Sequence, residues 1–295
     1  MAPGVTAIVV DNSSADGTVE QVRAWAHARS GVRLIANPQN RGFAAAANQG
    51  VREAADAGLV LLLNPDACVL TGLDRLVAAT EQYGLAAGKL LDQQGRAQTG
   101  FTVRRLPTPA SLIFELFGVN RLWPKNPVNR KYRELDRDLD QPGTTEQPAG
   151  AFLMFQRDVW KTLGGFDEQF HPVWFEDVDF CRRALDAGYR IQYEPSAMAS
   201  HEGGHSVSRM PAASRTHYWC VSLLRYAAKH FRPFAFRGIC AAVVLSSVPR
   251  MVARMISERS LSPLVTYWKM MRFAGACLLL PVSTGYVRKG VTGIS

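Results

Sequence analysis

Three short runs of aliphatic and β-branched residues, 6–10, 32–36 and 59–63, punctuate the first 90 residues, and the stretches between them repeat with the period of an amphipathic helix. A strand that must be followed by a helix before the next strand begins cannot close a hairpin, so its successor lies parallel and the helix crosses a sheet face. The pattern restricts the amino-terminal half to an α/β layer of the Rossmann type. Helices are expected over 18–28, with Ser13, Ser14 and Asp16 as cap residues ahead of the first, and over 43–55.

Beyond residue 93 the periodicity blurs. Pro107, Pro109, Pro124 and Pro127 and the charged run RKYRELDRDLDQ predict a solvated surface over 93–147, to which no chemistry is assigned. A strand returns over 149–156, a short helix ends at Gly164-Gly165, and 176–187 has helical spacing up to Gly188. After Pro211 the chain reads as helical, and its longest uncharged runs, 238–249 and 273–287, fall short of the roughly 18 to 20 residues that cross a bilayer.

Charge is unevenly placed. From His205 onward 13 Lys and Arg face the single acid Glu258, a net +12 that leaves −3 for everything before it. Basic side chains beside apolar faces suit anionic lipid head groups or a diphosphate, so 207–295 is expected to form a basic helical extension on a membrane surface. Basic helices packed on the catalytic domain are the alternative. No zinc-finger, RNP-like or helix-turn-helix pattern accompanies the charge, so no nucleic-acid partner is expected. Five cysteines without a CxxC pair argue against a disulfide framework or zinc site. With no basic region and long apolar core at the start, the expected location is the cytoplasm, at the inner face of the cell membrane. Nothing in the sequence points to an oligomeric state.

Several motifs carry candidate chemistry. AIVVDNSSADGT sets Asp11 just past a strand, where open α/β sheets meet their ligands, although a capping and turn role accounts for the same residues. NPQNRGFAAAANQG joins a turn to an alanine-rich helix whose first N–H groups could face a phosphate, with Arg41 as counter-charge. LVLLLNPDACV puts Asp66 after an apolar strand, where one carboxylate can hold a divalent cation while phosphates and water complete the shell. His201, in SHEGGHS, is the candidate second ligand if the fold brings it near Asp66. HPVWFEDVDFCRR packs Glu176, Asp177 and Asp179 among Trp174, Phe175 and Phe180. Acids in a first helical turn suit the macrodipole, and Asp179 can pair with Arg182 or Arg183. Partly desolvated carboxylates also gain the proton affinity of a general base.

In order, VVDNSSADGT, NRGFAAAANQG, LLLNPDA, PAGAFLMFQRDVWKTLGGFDEQF, WFEDVDFCRRALDAGY and SHEGGHS resemble the successive motifs of glycosyltransferase family 2, over about residues 5 to 206 and with a rhamnosyl- and galactofuranosyltransferase-like pattern. The resemblance implies a GT-A domain over 1–206 and inverting transfer from a nucleotide-diphosphate sugar to an acceptor hydroxyl on a glycan or polyprenyl-diphosphate-linked sugar, with dTDP-rhamnose as the first donor to try. By position, Asp11, Asn40, Arg41, Gly42 and Asn48 would contact the donor nucleotide. Asp66 would be the remaining carboxylate of the family's DxD, here beginning with Asn64, and with His201 would hold Mg2+ or Mn2+. Asp177 would be the base, with Glu176 beside it, while Gly150, Ala151, Trp174 and Asp179 would shape the sugar and acceptor side. Family members usually begin with a further strand and helix before VVDN, and that strand is internal to the sheet. Its absence is expected to leave two flanking strands unpaired, which keeps open a non-catalytic nucleotide-sugar-binding protein with a truncated GT-A fold.

Overall fold

A computed structural model describes residues 4–29, 31–203 and 210–279 of the chain. The expected alternation is present: β1 (Ala7–Asp11), α1 (Thr18–His27), β2 (Val32–Ala36), α2 (Phe43–Glu53) and β3 (Leu59–Leu63). Then follow β4 (Ala67–Thr71), α3 (Leu73–Tyr83), β5 (Gly84–Leu91) and β6 (Val103–Arg104). The region without clear periodicity holds α4 (Pro109–Leu116), α5 (Val119–Leu122), α6 (Pro127–Tyr132), β7 (Gly143–Thr145) and β8 (Gln147–Pro148). The chain continues through β9 (Phe152–Gln156), α7 (Arg157–Thr162), α8 (Glu176–Asp186) and β10 (Arg190–His201) to three long helices, α9 (Ala212–His230), α10 (Pro233–Glu258) and α11 (Ser262–Leu279).

The main sheet runs β3-β9-β5-β10-β4, with β7 added on β10. Only β5 and β10 pair in parallel within it; the other ladders are antiparallel. β1 and β2 form a separate parallel pair. Among the described residues, β1 bonds only β2 and β3 bonds only β9, so each presents an unpaired edge. The residues of β1 from Ala7 to Val10 and of β3 from Leu59 to Leu62 are accordingly half-buried. α2 reaches both strands, with Gly50 leaving room for Val10 and Ile8 and with Ala47 and Val51 in the same apolar cluster as Val60 and Leu62.

One sheet face packs on α2, α7 and α8 through Phe155, Phe166 and Phe180, whose rings lie 4.4 to 6.0 Å apart. The other packs on α3 through Leu76, Leu90, Phe152 and Ala199. A third cluster joins α4, α9, α10 and α11 to Phe170, Phe175 and Val178, so the carboxy-terminal helices share a core with the start of α8.

The charged run is solvated along much of its length, as its composition predicts, with Arg130, Lys131, Asp136, Asp138 and Asp140 exposed, but it is held in place. Arg130 pairs Asp136 at 2.8 Å, Arg137 pairs Glu134 at 2.9 Å, and Asp140 meets Lys89. Leu139 enters a small core with Val103 and Tyr193, whose hydroxyl donates to the Leu139 carbonyl at 2.8 Å. These ion pairs and one buried apolar side chain anchor the segment. His205 and everything after Leu279 lie outside the described residues.

Candidate active site

Strand ends bring the candidate residues to one edge of the sheet. Leu63, last in β3, registers with Phe152, first in β9, and the Asn64 N–H donates to the Ala151 carbonyl at 3.1 Å. The Ala67 N–H closes the Asn64-Pro65-Asp66 turn on the Asn64 carbonyl at 3.0 Å, and β4 then pairs with the end of β10, placing Ala67 opposite His201. Asp66 and His201, 135 positions apart in the chain, thereby come to 3.5 Å between Oδ1 and Nε2.

His201 is buried, and its ring is fixed from two sides. Phe101 stacks on it at 5.3 Å with 12° between planes, and Nδ1 faces Gln98 Oε1 at 3.2 Å while Gln98 Nε2 donates to the His201 carbonyl at 2.7 Å. With Nδ1–H donating to Gln98, the Nε2 lone pair points toward Asp66, and it has no hydrogen-bond partner. Burial lowers the proton affinity of the imidazole, against the opposing pull of the Asp66 carboxylate, which favours the neutral ligand form. Two lone-pair donors aimed at a shared space, one of them an orphaned buried nitrogen, fit a divalent ion. The described residues hold no cluster of three such side chains, so a diphosphate and water would supply the remaining positions.

Asp177, half-buried in the first turn of α8, accepts from the Gly150 N–H through Oδ2 at 3.0 Å and from the Val178 N–H through Oδ1 at 2.8 Å. A Cβ on Gly150 would sit 3.0 Å from the Asp177 Cβ, so any larger residue there would press on that side chain. Burial raises the Asp177 pKa, and the two N–H donors and the Arg104 guanidinium offset only part of that. Glu176 is buried with Oε2 unpartnered; burial first, then the Asp177 charge, push its carboxyl well above the ordinary range. Arg104 stacks over Phe101 at 5.2 Å, which links the base side of the site to the His201 side.

The segment carrying the acids is held in shape by α9. Trp174 and Phe175 have φ of 79° and 71°, a left-handed backbone that costs side chains of this size of order 1–3 kcal/mol each. Ser222 of α9 donates to the Val173 carbonyl at 3.1 Å, and Phe175 packs on Tyr226 with ring centroids 5.4 Å apart. Trp174 lies half-buried on the same cluster.

On the other flank, Asn12, Asn37, Asn40 and Gly42 form a bonded cluster beyond β1 and β2. Asn12 Nδ2 donates to Asn40 Oδ1 at 3.0 Å and to the Gly42 carbonyl at 3.1 Å, while Arg41 N–H donates to Asn12 Oδ1 at 3.0 Å. Gly42, at φ 82°, leaves no room for a Cβ, which would meet His171 Nδ1 at 2.7 Å. Arg41 is exposed. Asp11 is buried, and its Oδ1 accepts from the Ser13 and Ser14 N–H groups at 3.1 and 3.0 Å, so in this structure it braces the turn.

Two expected contact residues are corrected. Asp179 is not on an acceptor surface: it is fully buried and accepts from Arg183 Nε, Lys229 Nζ and His230 Nε2, each at 2.7 Å. Asn48 is not at a nucleotide: it is buried, donating to the Phe166 carbonyl at 2.8 Å and accepting from Phe166 N–H at 2.8 Å and Trp160 Nε1 at 3.0 Å. Gln98, Phe101 and Arg104, in a stretch to which no chemistry was assigned, belong to the site.

Residues 2–163 match the family model described as Glycosyl transferase family 2, and residues 136–205 match one described as the N-terminal domain of galactosyltransferase. The chain is similar to the N-acetylglucosaminyl-diphospho-decaprenol L-rhamnosyltransferase of Mycobacterium tuberculosis, 31% identical over 71% of this chain and 70% of that protein. It is similar to the rhamnosyltransferase WbbL of Escherichia coli, 26% identical over 59% of this chain and 63% of that one. Among solved structures, GalNAc-T7 with UDP, GalNAc and Mn2+ matches at a TM-score of 0.52 and 15% identity, covering 76% of this chain and 41% of that chain, a likeness of fold alone. The family match over more than half the chain, on a GT-A sheet with its acids and histidine at the strand ends, shows that this chain belongs to glycosyltransferase family 2 and is an enzyme of glycosyl transfer from nucleotide sugars.

Proposed function

We propose that the enzyme transfers a sugar, with rhamnose as the first candidate, from a nucleotide-diphosphate donor to a hydroxyl of a glycan or lipid-linked sugar, with inversion, in the assembly of a cell-wall or surface polysaccharide. One observation carries the reading: Asp177, a half-buried carboxylate with raised proton affinity, lies at the same sheet edge as the Asp66–His201 pair, the two joined through Asn64, Ala151 and Gly150. The L-rhamnosyltransferase relative, named for a diphospho-decaprenol acceptor, supports the choice of sugar and acceptor.

In this mechanism Asp177 takes the acceptor proton as the hydroxyl oxygen bonds to the anomeric carbon and the bond to the donor diphosphate breaks. A single displacement with base and leaving group on opposite faces inverts the anomeric centre. Burial and the neighbouring Asp177 charge both disfavour ionisation of Glu176, which limits repulsion between the two acids. Asp66 and His201 would hold Mg2+ or Mn2+, which when bound would neutralise charge developing on the departing diphosphate. Arg41 would contribute positive charge on the donor side, and Gly150 and Ala151 would leave room for the sugar. The unpaired edges of β1 and β3 and the turn-bracing Asp11 favour a second reading, a nucleotide-sugar-binding protein without turnover. Incubation with a panel of nucleotide sugars, Mg2+ or Mn2+ and a diphospholipid-linked N-acetylglucosamine acceptor separates the two: acceptor-dependent release of nucleotide diphosphate is expected, and binding without release would favour the second.

A further inference from the structure

The α10–α11 hairpin buries one side and leaves the other apolar. Phe236, Ile239, Cys240, Val243 and Ser247 of α10 face the cluster shared with α4, α9 and α11. Opposite them, Leu245, Val248, Val252 and Ile256 recur at spacings of three or four and form one exposed stripe, Ile256 being 72% exposed. At the turn and on α11 the stripe continues as Leu261, Leu264, Val265 and Trp268, with Leu261 at 71% and Trp268 at 62%. Scattered exposed apolar residues need no explanation, but seven on two packed helices and an eighth in their turn form a patch of the kind that marks an interaction site.

The charge around the patch says what covers it. Residues 233–279 contain Arg237, Arg250, Arg254, Arg259, Lys269 and Arg272 against Glu258 alone, and Lys269 and Arg272 lie exposed on α11 beside Trp268. Long basic side chains keep their charge at a polar boundary while their stems and a neighbouring indole sit in apolar material. By length and composition α10 is long and apolar enough to cross a membrane, unlike the shorter uncharged runs read from the sequence, but a third of that stretch is buried against the other helices. A crossing would strip that buried side from its core; lying in the interface would not.

We propose that the α10–α11 hairpin docks the enzyme on an anionic phospholipid surface, inserting the stripe from Leu245 to Trp268 between head groups contacted by Lys269 and Arg272. The inference rests on the reading of a lipid-linked acceptor, which it would supply from the same surface.

The test is co-sedimentation of the full chain with phosphatidylcholine vesicles with and without phosphatidylglycerol, and light scattering without lipid. Binding to the anionic vesicles alone, weakening as salt is raised, is expected. Ile256→Glu combined with Leu261→Glu should weaken it by about tenfold or more, and Lys269→Gln with Arg272→Gln by about fivefold per charge. Both double variants should release nucleotide diphosphate from the donor at the wild-type rate when the acceptor is soluble. Unchanged vesicle binding in the Glu variants, or none by the wild type, overturns the proposal. A wild-type dimer without lipid that the Glu variants dissociate also overturns it, by assigning the face to a second copy. Vesicle binding without any sugar transfer would instead sink the catalytic reading and leave the docking surface standing.

Discussion

Removing the Asp179 carboxylate would break a buried junction between α8, which carries the base, and the end of α9. Asp179 has no exposed surface and accepts from Arg183, Lys229 and His230. Breaking a buried ion pair by deleting one partner costs roughly 3–5 kcal/mol, because the opposite charge is stranded. Here the cost belongs at the low end: Arg183 keeps the Leu163 and Gly165 carbonyls, at 2.7 and 2.9 Å, and Lys229 keeps Asp167 at 2.7 Å. Asp179→Ala should therefore lose about 3 kcal/mol of unfolding free energy at neutral pH. The acid dependence gives an independent magnitude. Although burial alone would raise the Asp179 pKa, its hydrogen bond from His230 and the Arg183 and Lys229 charges lower it from 3.8 to about 2. A depressed carboxylate confers stability that is complete above its unfolded-state value and is lost as pH falls through that value toward the folded one. The shift corresponds to about 2 kcal/mol, lost between about pH 4 and pH 2. Urea unfolding followed by tryptophan fluorescence across that range measures both. The reasoning fails if Asp179→Ala stays within about 1 kcal/mol of wild type at neutral pH, or if both proteins lose stability in parallel on acidification.

Asp66→Ala should abolish Mn2+ binding measured by electron paramagnetic resonance and weaken metal-dependent donor binding while leaving the thermal midpoint nearly unchanged; retained Mn2+ affinity would remove Asp66 from the site. Gln98→Leu frees the His201 ring, and loss of such a supporting partner typically costs 10- to 100-fold in metal affinity, read by the same titration. Because burial raises the Asp177 pKa, the acidic limb of the transfer rate should have its midpoint above the ordinary aspartate value, activity falling as pH drops through it; a limb at or below 3.8 contradicts the assigned environment. Gly150→Ala puts a methyl 3.0 Å from the Asp177 Cβ and should lower kcat at least about tenfold with the fold intact by circular dichroism.

Much of the amino-terminal half was legible because its signals are local. The strands at 32–36 and 59–63 and the start of α2 at Phe43 fall where β-branched runs and the Gly42 turn put them. Asp66 could be singled out as a turn acid, yet its pairing with His201 depends on β4 lying against β10, a ladder that no local pattern encodes. Asp179 illustrates the same boundary. Its i,i+4 partner Arg183 is readable on one helix, whereas Lys229 and His230, fifty residues on, make it a buried anchor rather than an acceptor-side residue. The family resemblance implies a nucleotide contact for Asn48; the Phe166 loop that claims it is 118 positions away. Gln98, Phe101 and Arg104 sit in a polar, proline-bounded stretch without periodicity, and gain meaning only when β6 pairs with β8 beside Gly150. The one available signal was Gln-x-x-Phe ahead of a short extended segment, which is too common to select.

The most direct test of the account is Asp177→Asn, assayed for acceptor-dependent nucleotide diphosphate release alongside calorimetric donor binding in Mn2+. Asparagine keeps the shape and can still accept from Gly150 N–H, but it cannot take a proton. The prediction is donor affinity within about threefold of wild type with transfer reduced by at least about a hundredfold. Turnover near the wild-type rate would contradict the assignment of Asp177 as the base.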